Sequence, residues 1–151
     1  AITKLCNGFS SEYWQNCDRE KKYPSEFVSE LTEQGYLATL IPEQYGGSGL
    51  SLSIAAVILE EIHRSGGNAG ACHAQMYTMG TLLRHGSTDQ KRKYLPKIAS
   101  GELRLQAFGV TEPNSGTDTL ALNTSAKLID NCYLINGQNL HYFKFFERFF
   151  L

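Results

Sequence analysis

The stretch Phe108-Gly109-Val110-Thr111-Glu112-Pro113-Asn114-Ser115-Gly116-Thr117 gathers the groups in this chain best suited to holding a charged ligand. The residues leading to Val110 read as an extended run, and Pro113, Asn114 and Gly116 then demand a compact turn. Gly116 lets the backbone approach a ligand closely. Successive backbone N–H groups there can form an anion-binding nest, and Thr111 and Thr117 add hydroxyl donors. On residue chemistry alone two readings stand, a phosphate-holding turn and a turn that holds nothing.

Other candidate chemistry is thinner. Glu60-Glu61-Ile62-His63 contains Glu-x-x-His, half of a di-iron carboxylate site, but such a site needs a second copy and two further glutamates on facing helices. Neither is present, and the stretch reads as a solvated helix face. His73, His85 and His141 make no HExxH pattern, and His85 suits the negative end of a helix dipole. Tyr45-Gly46-Gly47-Ser48-Gly49 lacks the Lys-Ser/Thr of a phosphate loop and reads as a tight interhelical turn with positive φ. No metal site is expected.

The elements that must position these residues change period along the chain. A helix is expected after Pro24, with Ser25 as cap, Phe27, Val28 and Leu31 as apolar face and Gly35 as stop. A second follows Ser51 or Ser53, carrying Ile54, Val57, Ile58 and Ile62, and ends at Gly66-Gly67. A third runs from about Ala69 to His85, with Met76, Met79, Gly80 and Leu83 on one face and Gly86 as a left-handed stop. Ser87 and Gln90 form a capping box for a fourth, Asp89 to Ala99, bent or restarted near Pro96. Beyond that the pattern is β-like. Leu103 to Val110, Thr124 to Ile129 and Cys132 to Ile135 make roughly three strands, the last two joined at Asp130-Asn131.

Composition bounds the function classes. Lys and Arg total 14, Asp and Glu 15, and the net charge of −1 argues against a general electrostatic grip on nucleic acid or anionic membrane. With 42% hydrophobic and 19% charged residues, the 151-residue chain suits a globular core of about one domain. Cys6, Cys17, Cys72 and Cys132 show no zinc or CxxC spacing, so reduced thiols in a cytoplasmic compartment are expected. The segment from Leu140 to Leu151 differs from the rest. Tyr142, Phe143, Phe145, Phe146, Phe149 and Phe150 crowd it, as a partner- or membrane-docking helix would show, or as a tail foreign to the fold through truncation or a change of reading frame.

Five stretches in register carry a resemblance: Phe27 to Gly49 (FVSELTEQGYLATLIPEQYGGSG), Leu59 to Arg64 (LEEIHR), Gln90 to Glu102 (QKRKYLPKIASGE), Phe108 to Asp118 (FGVTEPNSGTD) and Tyr133 to Gln138 (YLINGQ). In order and spacing they resemble the N-terminal part of an acyl-CoA dehydrogenase, over about residues 24 to 138. The resemblance implies a mainly α chain: a helical N-terminal domain over 1–102, a partial middle β domain over 103–139, and the atypical tail at 140–151. It implies a flavoprotein of fatty acid metabolism that binds FAD through Phe108 to Thr117. Val110 and Thr111 would face the isoalloxazine ring, and Ser115 to Thr117 the pyrophosphate and the acyl-CoA. Thr117 stands where the family more often has Ser, and Asn139 where it has Lys.

The implied reaction is α,β-dehydrogenation of an acyl-CoA thioester, with electrons passed to an electron-transfer flavoprotein. Met76, Met79, Gly80, Leu83 and Thr117 would line the acyl-CoA site, and the family commonly forms homo-oligomers. The family's catalytic base belongs to a C-terminal bundle. No residue here matches it, so no catalytic residue is assigned and the chain alone is expected to be inactive. An acyl-CoA oxidase fragment and a non-catalytic helical interaction module are the alternatives.

Overall fold

A computed structural model describes residues 1–140; the aromatic tail positions Tyr142, Phe143, Phe145, Phe146, Phe149 and Phe150 lie outside the described residues. The chain divides into two compact units, Ala1–Gln106 and Ala107–Leu151.

The first unit is helical: α1 Ile2–Cys6, α2 Ser11–Arg19, α3 Ser25–Glu33, α4 Leu52–Arg64, α5 Gly70–His85 and α6 Thr88–Ala99. Two of these, α1 and α2, were not expected from sequence. Ser10 caps α2 by accepting the amide of Tyr13 at 3.3 Å, yet no residue of α2 is fully buried. Its stability comes from across the fold, where Trp14 meets the Phe27 ring edge-on at 4.8 Å and Phe9 joins at 5.0 Å. The signals were short but present: Ser10 as cap, and Tyr13, Trp14 and Cys17 on one side of a nine-residue helix.

The four expected helices are present. α3 starts at Ser25 with Pro24 as its cap residue, and Gly35 follows its end at φ 78°. Ser51 precedes α4. The capping box on α6 is complete, Gln90 N–H to Ser87 Oγ at 3.1 Å and Ser87 N–H to Gln90 Oε1 at 2.8 Å. α6 runs through Pro96 without interruption. Gly86 is not left-handed: its φ and ψ of −66° and 145° are extended. It is glycine because a Cβ there would sit 2.6 Å from the Leu82 carbonyl oxygen. Gly46 and Gly49 adopt the positive φ expected of the loop before α4, at 85° and 59°.

Two apolar clusters form the core of this unit. Phe27, Leu31, Leu37, Ile58, Ile62 and Cys72 belong to the larger, and Ala38, Ile41, Met79, Leu95 and Ile98 make the smaller. α5 contributes to both, so its buried positions include Ala71, Cys72, Ala74, Gln75, Met76 and Met79. Burial pushes the Cys72 thiol up to about 12, which leaves it unreactive at neutral pH.

The second unit contains one antiparallel hairpin, β1 Ser125–Ile129 with β2 Cys132–Asn136, in the register Ile129 to Cys132 and Ser125 to Asn136. Asp130 and Asn131 both take positive φ, 47° and 66°, the geometry of a tight primed turn that the right-handed twist of the strands favours. The strand expected over Leu103 to Val110 is not formed among the described residues. A strand needs a hydrogen-bonded neighbour, and residues 103–106 are instead tied down by side chains. Arg104 Nη1 donates to Thr32 Oγ1 at 2.9 Å, and the Thr78 hydroxyl donates to the Leu105 carbonyl. The architecture is mainly α, with an incomplete β domain.

Candidate functional site

Residues 108–117 fold as a braced turn within the second unit. Glu112 and Ser115 pair through their backbones, Glu112 N–H to Ser115 O at 2.9 Å and Ser115 N–H to Glu112 O at 3.2 Å, closing a four-residue turn around Pro113 and Asn114. The Ser115 hydroxyl donates to the Asp118 carbonyl, and the Thr111 carbonyl accepts the Leu140 amide at 2.8 Å.

Glu112, expected among the cofactor contacts, has its carboxylate engaged inside the unit. Oε2 accepts the Asn123 amide at 2.6 Å and Oε1 the Thr124 amide at 2.8 Å. Hydrogen bonding from Thr124, then from the Asn123 amide, holds this carboxyl below its ordinary range. Glu112 therefore braces the loop against the segment leading into β1.

What the turn leaves open is the Gly116-Thr117 corner. A Cβ built on Gly116 would meet no heavy atom within 4 Å. The Gly116 and Thr117 amides take no hydrogen bond among the described residues, and Thr117 is exposed. Phe108, Val110 and Thr111 are half-buried, whereas Gly109, Pro113 and Asn114 are exposed. The result is an open corner presenting N–H and O–H donors, the donor set that phosphate oxygens take, with the Asp118 carboxylate next along the chain turned to the Leu120 amide at 3.2 Å.

The first unit carries a groove of about 590 Å³ along the outer side of α5. Met76, Gly80 and Leu83 line it with Leu40 and Leu52, and Arg84 and His85 stand at the end of the helix. Gly80 opens its middle, since a Cβ there would meet nothing within 4 Å. Met79, expected with these residues, does not line the groove. It is fully buried among Ala38, Ile41, Leu95 and Ile98. The reason is angular. Residues 76, 80 and 83 track one edge of the helix, and residue 79 lies far enough round to face α6 and the turn before α4.

Sequence reasoning missed a buried polar chain in the same unit. Tyr23 OH donates to Gln106 Oε1 at 3.0 Å, and Gln106 Nε2 donates to Gln75 Oε1 at 3.4 Å. Gln75 and Gln106 are both buried. Burial pushes the Tyr23 phenol up to about 12, so it stays a donor at neutral pH. A polar residue in the apolar run of α5 was the available signal, but its partner Gln106 lies 31 residues away, and Gln106's own partner Tyr23 lies 83 residues from it.

Glu61 of the Glu-x-x-His stretch is paired, to Arg64 Nη2 at 2.7 Å and Nε at 2.9 Å. Among the described residues no group of three or more His, Cys, Asp and Glu could hold a metal, and all four cysteines are free thiols. No helix among them is long and apolar enough to cross a membrane.

The comparisons agree with one another. The profile of the acyl-CoA dehydrogenase N-terminal domain matches residues 1–102. The chain is 38% identical over 125 residues to a glutaryl-CoA dehydrogenase of Desulfococcus multivorans, covering 80% of this chain and 32% of that one. It is 41% identical over 102 residues to a mitochondrial isovaleryl-CoA dehydrogenase of Oryza sativa, covering 66% and 24%. Among solved structures it is similar to a glutaryl-CoA dehydrogenase in complex with glutaryl-CoA, with a TM-score of 0.77, 32% identity and coverage of 93% and 37%. It is also similar to an acyl-CoA dehydrogenase from Bacillus anthracis complexed with FAD, with a TM-score of 0.75, 32% identity and coverage of 93% and 25%. The chain thus spans about a third or less of the length of these relatives.

Proposed function

The chain belongs to the acyl-CoA dehydrogenase family, and on that premise we propose that it serves FAD-dependent α,β-dehydrogenation of an acyl-CoA thioester. The observation that carries the proposal is the Gly116-Thr117 corner, whose open, donor-bearing backbone fits the pyrophosphate of FAD. Bound FAD supplies the two-electron oxidant. Val110 and Thr111 hold the edge of its ring system, and hydrogen bonds there tune its electronics. Gly116 and Thr117 would hold the phosphates, with Ser115, whose amide and hydroxyl are already bonded within the turn, fixing the corner, Phe108, Gly109, Pro113 and Asn114 shaping it and Glu112 bracing it. Met76, Gly80 and Leu83 orient the acyl chain and exclude water from it.

We assign no described residue the part of the base. Among the described residues Glu61 is paired with Arg64 and Glu112 is held by two amides, which supports the proposal that the chain alone is inactive. An electron-transfer flavoprotein is the proposed acceptor, homo-oligomers the proposed assembly, and a reducing, cytoplasmic compartment the one that suits four free thiols. The proposed division is a helical domain over 1–102, a partial β domain over 103–139 and a tail over 140–151.

Titrating the isotope-labelled chain with FAD and following its amide resonances tests this. FAD is expected to move Val110, Thr111, Gly116 and Thr117, and Gly116→Val is expected to abolish the response while the melting temperature stays unchanged, because a Cβ there meets no heavy atom within 4 Å and the position is exposed. Perturbations scattered away from this loop, or none at all, would overturn the assignment.

A further inference from the structure

The hairpin of β1 and β2 has one wholly apolar side. Side chains alternate across a strand, and the register pairs Ala126 with Ile135 and Leu128 with Tyr133, so these four share a face. The opposite face mixes Ser125, Lys127 and Asn136 with Ile129, Cys132 and Leu134. Among the described residues nothing covers the apolar face: Leu128 is 61% exposed, Tyr133 69% and Ile135 70%. A two-stranded ribbon is marginal in water unless its apolar face packs against something.

We propose that the chain's own segment 141–151 docks on this face. The segment is the most aromatic in the chain, with Tyr142, Phe143, Phe145, Phe146, Phe149 and Phe150. Phe143, Phe146 and Phe150 recur at steps of three and four, which sets them apart from Lys144, Glu147 and Arg148. Three rings can therefore meet an uncharged surface without burying a charge. The starting point of the segment is favourable. Leu140 lies four residues beyond the end of β2 and is fixed in the same unit by its amide, which donates to the Thr111 carbonyl at 2.8 Å. From there the segment reaches up to about 36 Å at roughly 3.3 Å per residue, whereas a five-residue strand is about 17 Å long. Tethering also decides between this segment and a second copy of the chain. A short link keeps the local concentration in the mM range, far above that of free chains at about 1 μM. The proposal does not depend on the flavin reading, which leaves both the hairpin face and the segment unused.

Nuclear Overhauser contacts in the full 151-residue chain provide the test. The phenylalanine rings of 141–151 are expected to contact the methyl groups of Ala126, Leu128 and Ile135, to miss those of Leu134, and to keep these contacts on dilution. Ile135→Lys is expected to abolish them, and Leu134→Lys, on the opposite face, to leave them. Phe146→Ser leaves the hairpin's own composition intact. It is expected to shift the three methyl resonances and to lower the protection of the hairpin amides about fivefold. If Ile135→Lys unfolds the hairpin, Phe146→Ser decides, and unmoved methyl resonances there overturn the proposal. Contacts seen only between labelled and unlabelled copies make the face a dimer interface and overturn it. Ring contacts confined to residues outside the hairpin, or none at all, overturn it as well.

Discussion

Glu112 and Thr124 are joined by a 2.8 Å hydrogen bond from the Thr124 amide to Oε1, and this contact sets the shape of the loop proposed to hold the flavin. Folding lowers the proton affinity of Glu112. Its contribution to stability is therefore complete above the ordinary value of 4.5 and is lost as pH falls through the lower value held by the folded chain. The protection factors of the Asn123 and Thr124 amides, measured against their intrinsic exchange rates, are expected to fall on acidification in that window. Glu112→Gln is expected to raise exchange at both amides already at neutral pH and to remove the acid dependence. Hydrogen exchange followed by magnetic resonance checks both.

Ser87→Ala removes the hydroxyl that accepts the Gln90 amide at 3.1 Å and dismantles the capping box of α6. The expected loss is about 1 kcal/mol. A lower denaturant midpoint with an unchanged slope would record it.

Met79 and Leu83 share a helix but not an environment. Met79→Ala empties a fully buried site between α5 and α6 and is expected to cost about 2–5 kcal/mol. Leu83→Ala, at a half-buried position on the groove, is expected to cost on the order of 1 kcal/mol. Equilibrium unfolding of the two variants separates core from groove. Similar losses would contradict the placement of Met79.

Gly80→Leu adds a Cβ that meets no heavy atom within 4 Å, extends its side chain into the groove and replaces a poor helix former. Stability is expected to hold or to rise by up to about 1 kcal/mol. Acyl-CoA binding is expected to disappear because the groove is filled. Thermal unfolding and a pentanoyl-CoA titration on the same variant check the two halves.

Local physics made much of this legible. Ser87 and Gln90 declare a capping box within four residues, and Asp130-Asn131 declare a primed turn between two β-rich runs, because each device closes on itself through short-range hydrogen bonds. The apolar spacing of α3 announces its buried face of Phe27, Val28 and Leu31, whereas on α4 it is only half right: Ile58 and Ile62 are buried with Ala55, but Ile54 and Val57 are exposed because no element among the described residues packs on their side. Gly86 misled because glycine serves both positive φ and close approach, and only the position of the Leu82 carbonyl distinguishes them.

The sequence by itself determined the helical first unit from α3 onward, the hairpin and the family motifs, since these depend on neighbours within a few residues or on recurring residue order. Tertiary structure alone decided where α2 is anchored, that residues 103–106 are tied down without forming a strand, that Met79 is core while Met76 and Leu83 line a groove, and that Glu112 braces a loop. In each case the deciding partner lies far along the chain: Phe27 for Trp14, Thr32 for Arg104, Leu95 and Ile98 for Met79, Thr124 for Glu112. Burial and hydrogen-bond satisfaction depend on what arrives from elsewhere, and a linear pattern does not encode which element arrives.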